Sequence, residues 1–462
     1  MRLAQIGTFD FANYGDLLFA DVLERQMQRR SDDVTIDLFS PFGGEFGDKG
    51  RSVYRIRDLE EMHTANPYDA FVIGGGDILN FLKLGIPYPN HDSPQVPYEL
   101  VHMWAVPIVV AWKFGIPVMF NAPGLPESPF VLKAYERDQA RYLKALAEVC
   151  DYVSLRDHNS ERLLRETGYE GPICVVPDSV LSVATLYAQD ELEAYYPGKA
   201  LGLERGKYLF FQCNNSFTQD EIARCAQALN IMHDTYGIDV LFQPIGFGLD
   251  DQVALAKVQQ ECSFEVKTTD REYSHYEVLS LIANCACYLG SSLHGCITAN
   301  AFDKPCLIMN RNGYNKTEGF VQLLGREYEL VSSIDELESS MWRLMEPQPP
   351  LEDRHLDALT KHFDTMFQLA ATTKPDPKRT SGLHLAESIV EATYRLGELD
   401  RDIDGLAEKY LLDEQRIKEL EQRLAELEGL NGQLSQRVSE LETSTSWRVT
   451  KPLRALGGML HK

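Results

Sequence analysis

The sequence predicts an α/β chain of two successive domains with parallel sheets, followed by a helical extension and a C-terminal α-helical coiled coil. Three observations carry that prediction. Short apolar runs that end in glycine or a turn and lead into helical stretches recur along residues 3–149, and a second such series begins at Lys207; this alternation is how crossover helices join parallel strands. Proline-rich breaks at 346–350 and 374–377 follow the second series. A heptad repeat then occupies residues 406–441.

Composition bounds the function. The chain has 462 residues, 44% hydrophobic and 25% charged, enough to bury a full core and too ordered in composition for a disordered chain. With 45 Lys+Arg against 69 Asp+Glu the net charge is -24, which opposes broad contact with a polyanionic backbone, so no nucleic-acid partner is expected. The nine cysteines (Cys150, Cys174, Cys213, Cys225, Cys262, Cys285, Cys287, Cys296 and Cys306) lie in apolar segments without a C-x-x-C pair and read as buried thiols in a reducing compartment. The first residues look like a strand entering a glycine turn rather than a secretory signal. The most lipid-like stretch, 101–120, is interrupted by Pro107, Lys113, Gly115 and Pro117. A cytoplasmic protein is expected.

The first domain, 1–186, reads as a strand at 3–9 with a helix at 16–30, a strand at 70–73 leading into Gly74-Gly75-Gly76, and a strand at 117–121 with a helix at 130–149. Short strands at 152–156 and 173–177 enclose a helix at 159–167. The second domain, 187–345, has strands at 208–212, 240–243, 287–290 and 306–309, with helices near 219–233, 251–259 and 276–284. The extension, 346–398, carries amphipathic residues at 356–369 that are expected to pack on the paired domains.

The seam of the last long segment, 399–443, runs Leu406, Tyr410, Asp413, Ile417, Leu420, Leu424, Leu427, Asn431, Leu434, Val438, Leu441, in steps of four and three. With Leu420, Leu427, Leu434 and Leu441 at d, Asn431 falls at a, a device that fixes two parallel strands in register. Lys409, Arg416, Arg423 and Arg437 then face Glu414, Glu421, Glu428 and Glu442 across a parallel homodimer. That dimer through 406–441 is preferred to a solitary charged helix, with Asp413 its weak point. The tail, 444–462, is basic and apolar, suited to an anionic membrane face or a partner enzyme, although Pro452 and Gly457-Gly458 interrupt it and a frayed end is the alternative.

Candidate chemistry falls at strand ends. Asn13-Tyr14-Gly15-Asp16 sits where the first strand turns into a helix and backbone N–H groups converge; Gly15 would admit a close ligand, and Asp16 is either a cap or a catalytic group. No G-x-G-x-x-G follows. Gly74, Gly75 and Gly76 exceed what one tight turn needs and favour a ligand-facing loop. Arg156 offers a planar fork to a carboxylate or phosphate, with an ion pair to Asp157 or Glu161 the safer reading of that residue alone. Ser291, Ser292, His294 and Gly295 open a helix, where an imidazole beside hydroxyls and backbone donors suits anion binding or proton transfer. Lys316 adds a charge to the site or is simply solvated. There is no P-loop, no H-E-x-x-H, no G-x-S-x-G and no metal-spaced Cys/His set, so no metal is expected.

The ordered set Asn13-x-Gly15-Asp16, Gly74-Gly75-Gly76, Ser154-Leu155-Arg156-Asp157, Pro177-Asp178 and Ser292-Leu293-His294-Gly295 resembles the polysaccharide pyruvyl transferase family over roughly the first three quarters of the chain. The resemblance implies a GT-B-like pair of Rossmann-like domains facing across a cleft. It also implies transfer of the enolpyruvyl carbons of phosphoenolpyruvate, as donor substrate with no further cofactor, onto two hydroxyls of a lipid- or nucleotide-linked saccharide. Arg156 and His294 would contact the donor, with Asn13, Gly15 and the glycine triplet near the cleft. One departure is Ser292, where many members carry arginine; the phosphate contacts would then fall to backbone N–H groups of residues 291–295, to Lys316 or to another arginine. His294 is assigned as acid or phosphate-side donor and Asp16 or Asp178 as base. The alternatives are a nucleotide-sugar glycosyltransferase on the same plan and a non-catalytic coiled-coil scaffold for glycan assembly. The protein is expected in the cytoplasm, with the tail a candidate contact to the inner face of the membrane.

Overall fold

The computed structural model describes residues 1–10, 13–46, 50–81, 83–87, 95–127, 137–246, 250–269 and 271–373, and positions 416–418, 420, 422–424, 427, 431, 434–437 and 440. Residues 1–403 form one unit and 404–462 another.

The strands are β1 (Arg2–Ile6), β2 (Thr35–Ser40), β3 (Gly44–Phe46), β4 (Arg51–Arg55), β5 (Ala70–Ile73), β6 (Lys83–Pro87), β7 (Gln95–Glu99), β8 (Val118–Phe120), β9 (Ser154–Leu155), β10 (Cys174–Val175), β11 (Tyr208–Gln212), β12 (Asp239–Phe242), β13 (Lys267–Thr268), β14 (Cys287–Gly290), β15 (Cys306–Met309) and β16 (Leu330–Val331). The helices are α1 (Tyr14–Gln28), α2 (Leu59–Ala65), α3 (Val101–Phe114), α4 (Arg137–Ala147), α5 (His158–Glu166), α6 (Val183–Leu186), α7 (Gln189–Ala194), α8 (Gln219–Tyr236), α9 (Asp251–Glu261), α10 (His275–Ala283), α11 (Leu293–Ala301), α12 (Asn315–Leu324), α13 (Leu337–Ser340) and α14 (Asp353–Thr372).

Two six-stranded sheets result, ordered β3-β4-β2-β1-β5-β8 and β13-β12-β11-β14-β15-β16. Both are parallel apart from β3, which runs against β4. In the first, Leu3 pairs with Ile36 on one side and Ala70 on the other; in the second, Leu209 pairs with Val240 and Cys287. The chain lays down strands on one side of β1 or β11 and then crosses to the other side. The reversal leaves a crevice beyond the carboxyl ends of β1 and β5 in one sheet and of β11 and β14 in the other, where open α/β sheets take their ligands.

Both faces of each sheet are covered, which explains the nearly continuous apolar strands. In β11, Tyr208 and Phe210 enter a core shared between the two halves, while Leu209 and Phe211 pack under α8 and α9. On the first sheet Ile6, Ile73 and Phe120 pack with Trp104 and Ile108 of α3. The apolar stretch at 101–114 is therefore a buried helix, ended by left-handed Gly115. No helix among the described residues is long and apolar enough to cross a membrane.

The sequence reading omits β2, β3, β4, β6, β7, β13 and β16. β4, Arg-Ser-Val-Tyr-Arg, lies near the edge with only Val53 buried and offers no apolar run. The strands expected at 152–156 and 173–177 shrink to the two-residue pair β9 and β10, reached from the first sheet by a bridge between Met119 and Tyr152. The helix expected at 130–149 is described over Arg137–Ala147. Helix α14 packs on the first half: His362 bonds the Asn121 side chain and the Tyr152 hydroxyl, both at 3.0 Å, and Arg30 pairs with Asp364 at 2.7 Å. Of the cysteines, Cys174 is exposed and Cys150 and Cys262 are half-buried, against the expectation that all are buried; the other six are.

In the second unit the described positions between 416 and 440 are helical. The seam residues Leu406, Tyr410, Asp413, Val438 and Leu441, the break at 374–377 and the tail 444–462 lie outside the described residues.

Candidate functional site

The two crevices meet. Helix α1 starts at Tyr14 beyond β1, and helix α11 starts at Leu293 beyond β14. A methyl group added at Gly15 would lie 1.9 Å from His294 Nδ1 and 2.2 Å from its Cγ. Gly15 therefore makes room for an imidazole, not for the ligand that the sequence suggested. Across the same boundary the Tyr14 N–H donates to the Ile245 carbonyl at 3.2 Å, and the Tyr14 and Thr298 hydroxyls bond at 2.8 Å. His294 is 13% exposed and packs edge-on against Phe19.

Asn13 holds the N-cap position of α1 without capping it through its side chain, and Asp16 is in the first turn. The Asp16 carboxylate is instead bonded by Thr8 and Asn13; burial pushes it up, and His294 and Lys316 partly offset that rise. The glycine triplet divides its tasks. Gly74 (φ +112) and Gly76 (φ +75) need the freedom of glycine, whereas a Cβ on Gly75 would strike Phe19 at 2.1 Å. Only Gly76 borders the site, where its Cβ would be 3.5 Å from an Asp16 oxygen.

Arg156 is 4% exposed and sits among three carboxylates. Its Nη2 pairs with Asp77 Oδ1, its Nε lies 3.7 Å from Asp157 Oδ2, and its Nη1 lies 3.9 Å from Asp178 Oδ2. Glu161, one of the two partners expected from sequence, bonds His158 instead. Asp157 Oδ1 caps α5 by accepting from the Ser160 N–H at 2.6 Å, and Asp178 Oδ1 accepts from the Val180 N–H at 3.0 Å, so both carboxylates are fixed. Burial raises the Asp77 carboxyl, but Arg156 and Lys316 outweigh it and hold the group below its ordinary value. Gly124 permits this crowding, since a Cβ there would be 2.6 Å from both Arg156 Nε and Asp77 Oδ1.

The second half contributes His294, whose Nε2 lies 3.7 Å from Asp178 Oδ2, and Lys316, whose Nζ lies 3.1 Å from Asp77 Oδ2. Lys316 is thus paired rather than merely solvated. Its neighbour Asn315 anchors it: Asn315 accepts from the Glu127 N–H at 2.8 Å through its side chain and donates to the Leu125 carbonyl at 3.0 Å. Asn13, Asp16, Gly76, Arg156, Asp178, His294 and Lys316 are therefore brought together, with Asp77 and Asp157 added by the structure.

The N-terminus of α11 differs from expectation. Gln212 Oε1, at the end of β11, accepts from the Ser291 and Ser292 N–H groups at 3.0 and 2.9 Å and from the Ser291 hydroxyl at 3.3 Å. The Ser292 hydroxyl caps the Gly295 N–H. The Ser291, Ser292 and Gly295 N–H groups, among the donors assigned to a ligand phosphate from sequence, are thus already satisfied within the chain. Gln212 Nε2 in turn donates to Asp251 Oδ2 at 2.7 Å, which also accepts from the Ile245 and Gly246 N–H groups. Burial pushes Asp251 up to about 6. A buried glutamine ending the apolar strand Tyr-Leu-Phe-Phe-Gln is the signal that could have revealed this lock. Replacing Gln212 with leucine leaves the Ser292 N–H without its acceptor, at about 1–3 kcal/mol, while the Ser291 N–H keeps the Gln212 backbone carbonyl at 3.3 Å. The expected result is a lower urea midpoint; an unchanged midpoint would refute the lock.

Behind His294, Cys296, Cys306 and Glu329 form a fully buried group with metal-type ligand atoms. The two sulfurs are 3.0 Å apart, closer than the roughly 3.8 Å of two thiolates on a tetrahedral zinc at about 2.3 Å each. Glu329, pushed up to about 7 by burial, is instead held by Asn300 at 2.8 Å and Arg326 at 3.3 Å. The group is a buried polar knot that ties α11 to the chain before β16.

The site thus presents two fixed cations, Arg156 and Lys316, an imidazole, and four carboxylates. It can hold an anion between the cations and exchange protons at Asp16 and His294.

Comparison with known proteins follows the same lines. The family model described as "Polysaccharide pyruvyl transferase" matches residues 13–313, more than half of the chain. No curated protein matches the sequence. Among solved structures, UDP-GlcNAc 2-epimerase from Methanocaldococcus jannaschii is similar at TM-score 0.51 and 13% identity, over 79% of this chain and 99% of that one. The same enzyme in complex with UDP-GlcNAc and UDP gives TM-score 0.50 and 12% identity over the same shares. These likenesses establish the fold, two α/β halves of GT-B-like arrangement.

Proposed function

This chain belongs to the polysaccharide pyruvyl transferase family, and from that premise we propose that it moves the enolpyruvyl carbons of phosphoenolpyruvate onto two hydroxyls of one sugar in a surface-glycan precursor. The observation that supports this most is a convergence. Arg156 from the first half and His294 from the second approach the same oxygen of Asp178, at 3.9 and 3.7 Å.

Protonation of the methylene carbon C3 makes C2 electrophilic, a first sugar hydroxyl adds there, phosphate departs, and a second hydroxyl closes the ketal. In net, one hydroxyl proton ends on C3 and the other on phosphate, so the step needs an acid and a base but no redox partner. His294 and Asp16 are the proposed pair, with Asp178 holding the imidazole and Arg156 and Lys316 meeting the donor's charges. The burial that raises Asp16 suits it to carry a proton nearer neutral pH. Asn13 and Gly76 border the acceptor, a lipid- or nucleotide-linked saccharide.

Incubation with phosphoenolpyruvate and such acceptors should release phosphate and produce the methyl resonance of a pyruvate ketal. Phosphate release abolished by His294→Ala, in a variant that still melts as the parent does, supports the assignment. Saturable use of a sugar nucleotide as donor, with no response to phosphoenolpyruvate, would replace this reading by the glycosyltransferase one.

The proposal includes a homodimer through 406–441. Ile417, Leu420, Leu424, Leu427 and Leu434 share a heptad face and are each more than half exposed in the single chain. Replacing Leu420 and Leu427 together by glutamate should convert a dimer to a monomer in sedimentation equilibrium while leaving turnover intact. A parent chain that already sediments as a monomer removes the dimer.

A further inference from the structure

Two features of the site are built to receive an anion, and the chain fills both with its own side chains. The Ser291 and Ser292 amides that lead into α11 are occupied by Gln212, which is 2% exposed and locked through Asp251. The gap between Arg156 Nη2 and Lys316 Nζ is occupied by the Asp77 carboxylate, one oxygen on each cation.

The two fillers differ in freedom. Asp77 has a side chain 21% exposed, and it follows Gly74 and Gly76, both at positive φ in a loop that needs glycine to adopt its path. Arg156 retains Asp157 and Asp178 nearby if Asp77 leaves, and its buried Nε has no hydrogen bond in the present arrangement. Among the described residues, Asp77 is the one group that touches both fixed cations.

We propose that Asp77 is a resident stand-in for the donor's anionic group: a phosphate or carboxylate takes its place between Arg156 and Lys316, and Asp77 sets how tightly that anion is held. This inference rests on the donor being anionic, as in the function proposed above. An incoming anion must displace a carboxylate of like charge from the same seat, so removing the charge removes the competitor.

The test is the thermal shift of the full chain titrated with inorganic phosphate, and separately with phosphoenolpyruvate, at low ionic strength. Asp77→Asn should bind phosphate about tenfold more tightly than the parent, equivalent to about 1.4 kcal/mol. Adding Lys316→Gln to that variant should abolish the gain. Phosphate affinity that is equal or weaker in Asp77→Asn overturns the proposal. If the variant does not fold, a structure of the parent chain grown in phosphate decides: Asp77 still paired with Arg156 Nη2 overturns it, and Asp77 displaced by the ion supports it. Tightened phosphate binding without turnover of phosphoenolpyruvate in either protein would retain the seat and reject the donor.

Discussion

Replacing Arg156 with leucine should destabilise the chain more than any other single change in the site, and more at pH 8 than at pH 5. The guanidinium is 4% exposed and faces Asp77, Asp157 and Asp178. Removing one partner of a buried ion group leaves uncompensated charge, at about 3–5 kcal/mol, or a melting temperature lower by about 4–6 °C for a unit of this length. In the parent, Asp77 titrates below its ordinary value, so its contribution is present above that value and is lost as pH falls through the lower, folded one. Without Arg156 the largest influence opposing burial is lost at both groups: Asp77 keeps only Lys316 and His294 against it, and Asp157, which burial already raises in the parent, rises further. A group raised in the folded state favours that state when protonated, so stability falls as pH rises through it. Melting curves of parent and variant at pH 5 and pH 8 check this. A deficit of equal size at both would show that lost packing, not unpaired charge, is responsible.

Gly15→Ala should have the opposite signature: a large loss of turnover with little loss of stability. Alanine within a helix gains about 1 kcal/mol over glycine in intrinsic propensity. That gain offsets part of the strain from a methyl group placed 1.9 Å from His294 Nδ1. The ring, held between Phe19 and Asp178, must turn away, and with it goes its acid–base contribution, about 10²–10⁴ in rate. The double variant with His294→Ala should be no slower than His294→Ala alone, because both remove one function. Full turnover in Gly15→Ala would dissociate His294 from the chemistry.

Much of this site was legible before the fold was. Asn13-Tyr14-Gly15-Asp16 and Ser291-Ser292-Leu293-His294 sit at strand-to-helix turns, and such turns mark the ligand edge of an α/β sheet whatever the strand order. Strand β4, next to the edge strand β3, escaped notice because a strand with one buried face of a single residue leaves no periodic trace. The role of Gly15 escaped for another reason. A glycine needed for close approach reads the same whether the approaching group is a ligand or an imidazole 279 positions along the chain.

The sequence by itself determined that strands and helices alternate in two successive series, which helices open on polar residues, and that an arginine and a histidine would stand at two of those openings. These follow from local propensity and hydrophobic period, which act over a few residues. Only the tertiary structure decided that Asp77 partners Arg156 across 79 positions and that Gln212 fills the amides of a helix 80 positions away. Those pairings are set by the order in which strands cross the sheet and by the packing of two halves against each other, and no local pattern of residues encodes either.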